Sequence, residues 1–171
     1  GKWRQLWKYG DLSLFERAHS DPTIKLASDG AGGKFGQDPR RARVGWAAVA
    51  VRFASADPDC SEVVEIAALS GGVWDQQTVP RAEVAGLINL LCLTGPEGDL
   101  EVGIDNASVL SQLKSRKLAL DSRSSDLWGA GAEIIDGRAG SVTGIKVKSH
   151  AEDSHFDAGL KVSWAVANEI A

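Results

Sequence analysis

The clearest signal along the chain is a change of hydrophobic period. Residues 24–29, Ile24-Lys25-Leu26-Ala27-Ser28-Asp29, alternate with the two-residue period of a half-buried strand, and Gly30-Ala31-Gly32-Gly33 follows as a glycine-rich stretch. Residues 44–53 and 63–69 predict two further strands around the turn Ala56-Asp57-Pro58-Asp59, the later one closed by Gly71-Gly72. Short connections between the three predict an antiparallel meander. From Pro80 the period lengthens. Val84, Leu87, Ile88 and Leu91 share one face of an amphipathic helix, with Pro80 near its first turn. A strand over 100–104, a helix over 107–114, a helix over 125–135, a strand over 145–148 and a closing helix over 162–171 complete the pattern. That order, three strands and then helices alternating with two more, predicts an α/β fold with a mixed sheet flanked by helices.

Residues 1–22 precede this order as an N-terminal extension to a domain spanning 23–171. Trp3, Trp7, Tyr9, Leu12, Leu14 and Phe15 are mixed with charge and lack a clean period. They predict a short helix or loop packed on the domain, with Trp3 and Trp7 on one helical face. Packing, rather than stacking on bases, is the expected role of these tryptophans.

Composition narrows the class. At 171 residues, with 43% hydrophobic and 25% charged, the chain suits one globular domain with a full core. No apolar run approaches the roughly 20 residues that span a bilayer, and GKWRQLWKYGD has no apolar signal-peptide core, so an intracellular monomer with no membrane partner is expected. Cys60 and Cys92 form neither a disulfide framework nor a CxxC metal spacing, and Cys92, in an apolar helical run, is expected to be buried. With no methionine and Gly1 at the start, the sequence reads as a fragment or a processed product. A net charge of −4 and a pI near 5.4 argue against holding nucleic acid by global charge. Basic residues nonetheless group at Arg40, Arg41 and Arg43 and at Lys114, Arg116, Lys117 and Arg123, either as phosphate-contacting faces or as solvated loops.

Three acids stand at element ends. Asp29 closes the first strand, Asp105 the fourth, and Glu83 lies in the first turn of the helix between them. If the first and fourth strands are parallel neighbours, the two aspartates meet at the carboxyl edge of the sheet, where the helix could also bring Glu83. Taken singly, each acid is also what a turn, an N-cap or a helix N-terminus prefers. Three convergent carboxylates repel one another unless cations neutralise them, and oxygen-only ligands suit Mg²⁺ or Mn²⁺, which activate water and stabilise a phosphoryl leaving group.

SDGAGG (28–33), QTVPRAEVAGL (77–87), IDNASVL (104–110) and VKSHA (147–151), in that order, resemble the four motif blocks of type 1 ribonuclease H, most closely the domains attached to retrotransposon reverse transcriptases. The resemblance covers residues 23–171. It implies a ribonuclease H-like five-stranded sheet in the order 3-2-1-4-5. It further implies two-metal hydrolysis, with two Mg²⁺ or Mn²⁺ ions, of the RNA strand of an RNA/DNA hybrid, within a parent protein carrying a reverse transcriptase domain. Asp29, Glu83 and Asp105 carry over as metal ligands and catalytic residues, and His150 as a catalytic histidine for proton transfer or product release. Gly30, Ala31, Arg81 and Asn106 carry over as substrate-binding residues, the two small ones allowing close approach of a minor groove. His19 and His155 are read as surface residues.

Two departures stand out. Where the family places polar residues that grip nucleic acid, this chain has Val79 and Pro80, whose side chains donate no hydrogen bond. The family's fourth carboxylate would follow Asn168-Glu169-Ile170-Ala171. Its expected substitutes are Asp157, Glu169 or a residue after Ala171, and its loss would weaken the second metal and impair activity. These departures favour the alternative of a non-catalytic module of the same fold that binds nucleic acid or tethers a polymerase domain. Retention of three mutually repelling acids favours the enzyme. A nuclease of the same fold acting on DNA is a third reading.

Overall fold

The structure is a computed structural model and describes residues 6–32, 44–72, 79–115, 131 and 133–147. The closing helix expected over 162–171, His150, Asp157, Glu169, the arginines at 40–43 and the basic residues at 116–123 lie outside the described residues.

Among the described residues, six strands and three helices run in the order β1 (Leu6–Tyr9), α1 (Ser13–Arg17), β2 (Ile24–Gly32), β3 (Val44–Phe53), β4 (Val63–Gly72), α2 (Val79–Leu93), β5 (Leu100–Ile104), α3 (Ala107–Ser115) and β6 (Val142–Lys146). Residues 133–136 form a further helical turn before β6. The sheet order is β1-β4-β3-β2-β5-β6. β2, β3 and β4 make the expected antiparallel meander, while β5 joins β2, and β6 joins β5, in parallel. Without β1 this is the expected order 3-2-1-4-5.

The extra strand is a correction. Leu6–Tyr9 is neither helix nor loop: it pairs antiparallel with β4, so Trp7 sits on a strand and shares no helical face with another tryptophan. Trp7 is 57% exposed and so is not packed away as expected. Leu14 and Phe15 of α1 are fully buried in the main core, so that part of the extension does pack on the domain. The first strand also runs past Asp29, where the sequence pattern closed it. Gly30, Ala31 and Gly32 continue β2, paired with Trp46, Gly45 and Val44. Glycine is a weak strand former, and the long, regular β3 beside it overrides that preference.

β3 explains why the sheet has two cores. Trp46, Ala48 and Ala50 face one side and Val49, Val51 and Phe53 the other; all six are buried, so the strand reads as a nearly continuous apolar run. On the first side they pack with Leu26, Leu69 and the inner face of α2: Ala82, Val84, Ala85, Leu87 and Leu91. On the second, Ala27, Val49, Val51 and Phe53 form a smaller cluster. Cys92 is exposed rather than buried, a second correction. Eight residues at 100° each carry it 80° past Val84 on the helix, off the buried stripe.

The parallel pair β5–β6 is locked at its start by polar groups far apart in sequence. The Arg138 guanidinium donates to Thr94 Oγ1 at 3.3 Å and to the carbonyls of Gly95, Glu97 and Gly98. The Asp99 carboxylate accepts from the Ser141 N–H at 2.8 Å and its hydroxyl at 3.1 Å. Those bonds hold the Asp99 carboxyl below the usual carboxylate range. Leu100 and Val142 are thereby set in register, and the register fixes where β5 ends.

Candidate metal centre

β2 and β5 run parallel with Leu26 opposite Val102 and Ala27 opposite Gly103, so two residues further along both strands reach Asp29 and Asp105 at the carboxyl edge. α2 packs on the β2–β3 face and brings Glu83 to the same edge. One carboxylate oxygen from each of Asp29, Glu83 and Asp105 lies within 4.8 Å of the other two. Glu83 is in the second turn of α2, a correction to the expected first turn, and the helix has no acid in its first turn. What holds Glu83 is packing against β2, not the attraction of a helix N-terminus.

That packing depends on Gly30. A Cβ there would lie 2.5 Å from the Glu83 backbone nitrogen and 2.7 Å from the Ala82 carbonyl carbon, closer than real Cβ atoms come. One turn along, a Cβ on Gly86 would lie 3.1 Å from the Asp29 carbonyl oxygen. Strand and helix therefore meet backbone to backbone where two acids must converge. The Gly30 N–H donates to Asp29 Oδ1 at 2.9 Å and also stabilises the Glu83 carboxylate.

Electrostatics follow from the crowding. Burial, then the negative charges of Asp29 and Asp105, push the Glu83 carboxyl up to about 9. Burial, then the charge of Asp105, raises Asp29, against opposing hydrogen bonds from Glu83 and Gly30. The donor set fits a hard divalent cation: three clustered carboxyl groups, two of whose ionised forms burial and mutual repulsion disfavour until a positive charge offsets them.

The other sequence-derived residues divide. Asn106 follows Asp105 and caps α3, its Oδ1 accepting the Val109 N–H at 3.0 Å, so its side chain also has a structural duty. Gly30 adjoins Asp29, and the absence of its side chain serves α2. Arg81 lies on α2 and Ala31 on β2, and their side chains are outside the described residues, as are those of Val79 and Pro80. His150 is outside the described residues, and His19 is exposed. Sequence reasoning missed Arg138 and Asp99, whose partners lie about 40 residues away. It also missed the Gly30–Glu83 contact, although a glycine directly after the acid was a visible signal.

No protein-family model and no curated protein matches the chain. Its fold is similar to that of LC11-RNase H1 in complex with an RNA/DNA hybrid, with 14% identity, a TM-score of 0.52, and coverage of 73% of this chain and 85% of that one. It is also similar to the solution structure of the PFV RNase H domain, with 15% identity, a TM-score of 0.50, and coverage of 84% and 92%. The native Prototype Foamy Virus protease–reverse transcriptase matches with 16% identity and a TM-score of 0.53 over 89% of this chain and 22% of that one. The chain has the ribonuclease H-like fold.

Proposed function

We propose that the chain is a metal-dependent endonuclease that hydrolyses the RNA strand of RNA/DNA hybrids, as a retroelement-derived domain of an intracellular polymerase. The observation that carries the reading is the convergence of Asp29, Glu83 and Asp105 from three different elements, with ligand oxygens within 4.8 Å of one another. Similarity of fold to a hybrid-bound ribonuclease H and to a reverse transcriptase protein supports the substrate class and the polymerase context.

In this reading Asp29, Glu83 and Asp105 hold two Mg²⁺ or Mn²⁺ ions. When bound, such cations supply Lewis-acid activation of water and neutralise charge on the leaving 3′-oxygen. The carboxylates orient the ions, and the Gly30 N–H fixes the Asp29 oxygen it contacts. Asn106, Gly30, Ala31 and Arg81 contact the substrate backbone, and His150 moves a proton near the scissile phosphate. A fourth acid among Asp157, Glu169 or a residue beyond Ala171 completes the shell. Residues 1–22 add to a catalytic unit of residues 23–171 that acts as a monomer.

The test is a cleavage assay on a labelled RNA/DNA hybrid with Mg²⁺ or Mn²⁺, beside duplex DNA and an Asp29→Asn chain. Metal-dependent cutting of the RNA strand alone, lost in the variant, is expected. Binding of the hybrid without cutting would replace the enzyme by a non-catalytic nucleic-acid module, and cutting of duplex DNA would replace the substrate.

A further inference from the structure

One row of residues crosses the sheet from the metal centre to its far edge. Asp29 pairs with Ala47, Ala47 with Ser70, and Ser70 with Trp7, through three successive antiparallel strand pairs. Directly paired residues in antiparallel strands point to the same side, so all four side chains share one face. Strands are about 4.8 Å apart, which places Trp7 roughly 14 Å from Asp29, about four base-pair steps of a nucleic-acid duplex. The two residues between are small. Asp29, Ala47 and Ser70 are all partly exposed, and the row ends on the 57% exposed ring of Trp7.

We propose that this row is a nucleic-acid-binding strip: substrate engaged at the carboxylates lies over Ala47 and Ser70 and rests a sugar face of its backbone against the indole of Trp7. The proposal rests on the nucleic-acid reading of the metal centre. Three features favour this occupant. The strip is continuous with the carboxylates. Alanine and serine leave room for a backbone to pass, and the serine hydroxyl can donate to a phosphate oxygen. An exposed aromatic at the end of a polar track offers a sequence-independent contact, since every nucleotide of a duplex presents a sugar face along the backbone. β1 has a reason to exist in this arrangement, because pairing with β4 holds Trp7 in line with Asp29.

The test measures binding of a fluorescein-labelled RNA/DNA hybrid by anisotropy in Ca²⁺, a hard cation that suits the carboxylates without the octahedral geometry of Mg²⁺, so that the strand is held and cutting is suppressed, for the wild-type chain, Trp7→Ala, Trp7→Phe and Leu6→Ala. Trp7→Ala is expected to raise Kd at least about five-fold, the loss of one packed aromatic contact, while Trp7→Phe restores most of the affinity. Leu6 is the next residue along β1 and points to the opposite face, so Leu6→Ala perturbs the strand without touching the strip and should leave Kd unchanged. Equal Kd for wild type and Trp7→Ala overturns the proposal, as does an equal loss in Leu6→Ala, which would mark a structural role for β1. A wild-type chain that binds hybrid through Trp7 and cuts nothing in Mg²⁺ refutes the nuclease reading and leaves the strip standing. A wild-type chain that binds no hybrid refutes the strip.

Discussion

Gly30 and Glu83 touch through their backbones: no side chain larger than hydrogen fits at residue 30 while the Glu83 nitrogen stays where it is. The first acid of the site is thus followed by the residue that admits the second.

Gly30→Ala tests this directly. The added methyl must move out from 2.5 Å to ordinary contact, and α2 carries Glu83 with it. Overpacking of this kind costs about 1–3 kcal/mol of stability. Displacing a ligand's support lowers metal affinity by about ten-fold or more. Gly144→Ala, whose Cβ would strike Leu110 across the β6–α3 contact, is the control. Calorimetric titration with Mn²⁺ should show weakened binding only in Gly30→Ala, with both variants losing stability in urea.

The raised carboxyls set the pH dependence of the metal-free chain. Folded, Glu83 holds its proton up to about pH 9, whereas an ordinary glutamate releases it near 4.5. Across that window the native state binds more protons than the unfolded state, so stability falls as pH rises. Asp29 shifts in the same direction and adds to the slope. The melting temperature of the metal-free chain should therefore fall between pH 5 and 9, less steeply in Glu83→Gln. Saturating Mg²⁺ should oppose the fall, adding about 2.7 kcal/mol when present at a hundred times its Kd. A flat profile in the wild-type chain would show that the three acids do not share one charge-crowded site.

Most of the frame was legible because period and punctuation agreed: residues 44–53 and 100–104 alternate or run apolar, and both strands occur over those bounds. The errors share a physical cause. β1 has four residues and no pattern of its own, and exists because β4 offers it an edge. Gly30–Gly32 looks like a loop by propensity and is a strand by pairing. The acids were legible one at a time as element ends, while their convergence needed the parallel pairing of β2 with β5, which no local pattern encodes. The clamp around Arg138 was invisible for the same reason.

Arg138→Ala should unfold the chain at lower urea. Its guanidinium supplies donors to three loop carbonyls and to the Thr94 hydroxyl, and charged hydrogen bonds contribute about 1.5–3 kcal/mol. A loss of about 2–3 kcal/mol is expected for the group, partly offset where water reaches the loop. The clamp sits at the start of β5 and the acid at its end, so Mn²⁺ affinity should change less than in Gly30→Ala.

Asp105→Asn separates charge from shape at the end of β5. The amide keeps the volume of the carboxyl and removes one of the negative charges that raise Glu83 and Asp29. The metal-free variant should therefore be at least as stable as the wild-type chain, because less like charge is confined at the edge. The capping bond from the Val109 N–H to Asn106 Oδ1 lies outside the substitution and should keep α3 in place, whereas Asn106→Ala should lose about 1 kcal/mol. Cleavage of the hybrid in Mg²⁺ should drop by about three orders of magnitude, matching the several kcal/mol that a bound cation contributes to developing charge. Thermal melts with and without Mg²⁺, read beside the cleavage rate, check both halves. A variant that is stable, insensitive to Mg²⁺ and inactive assigns Asp105 to the metal centre; one that cleaves at the wild-type rate removes it.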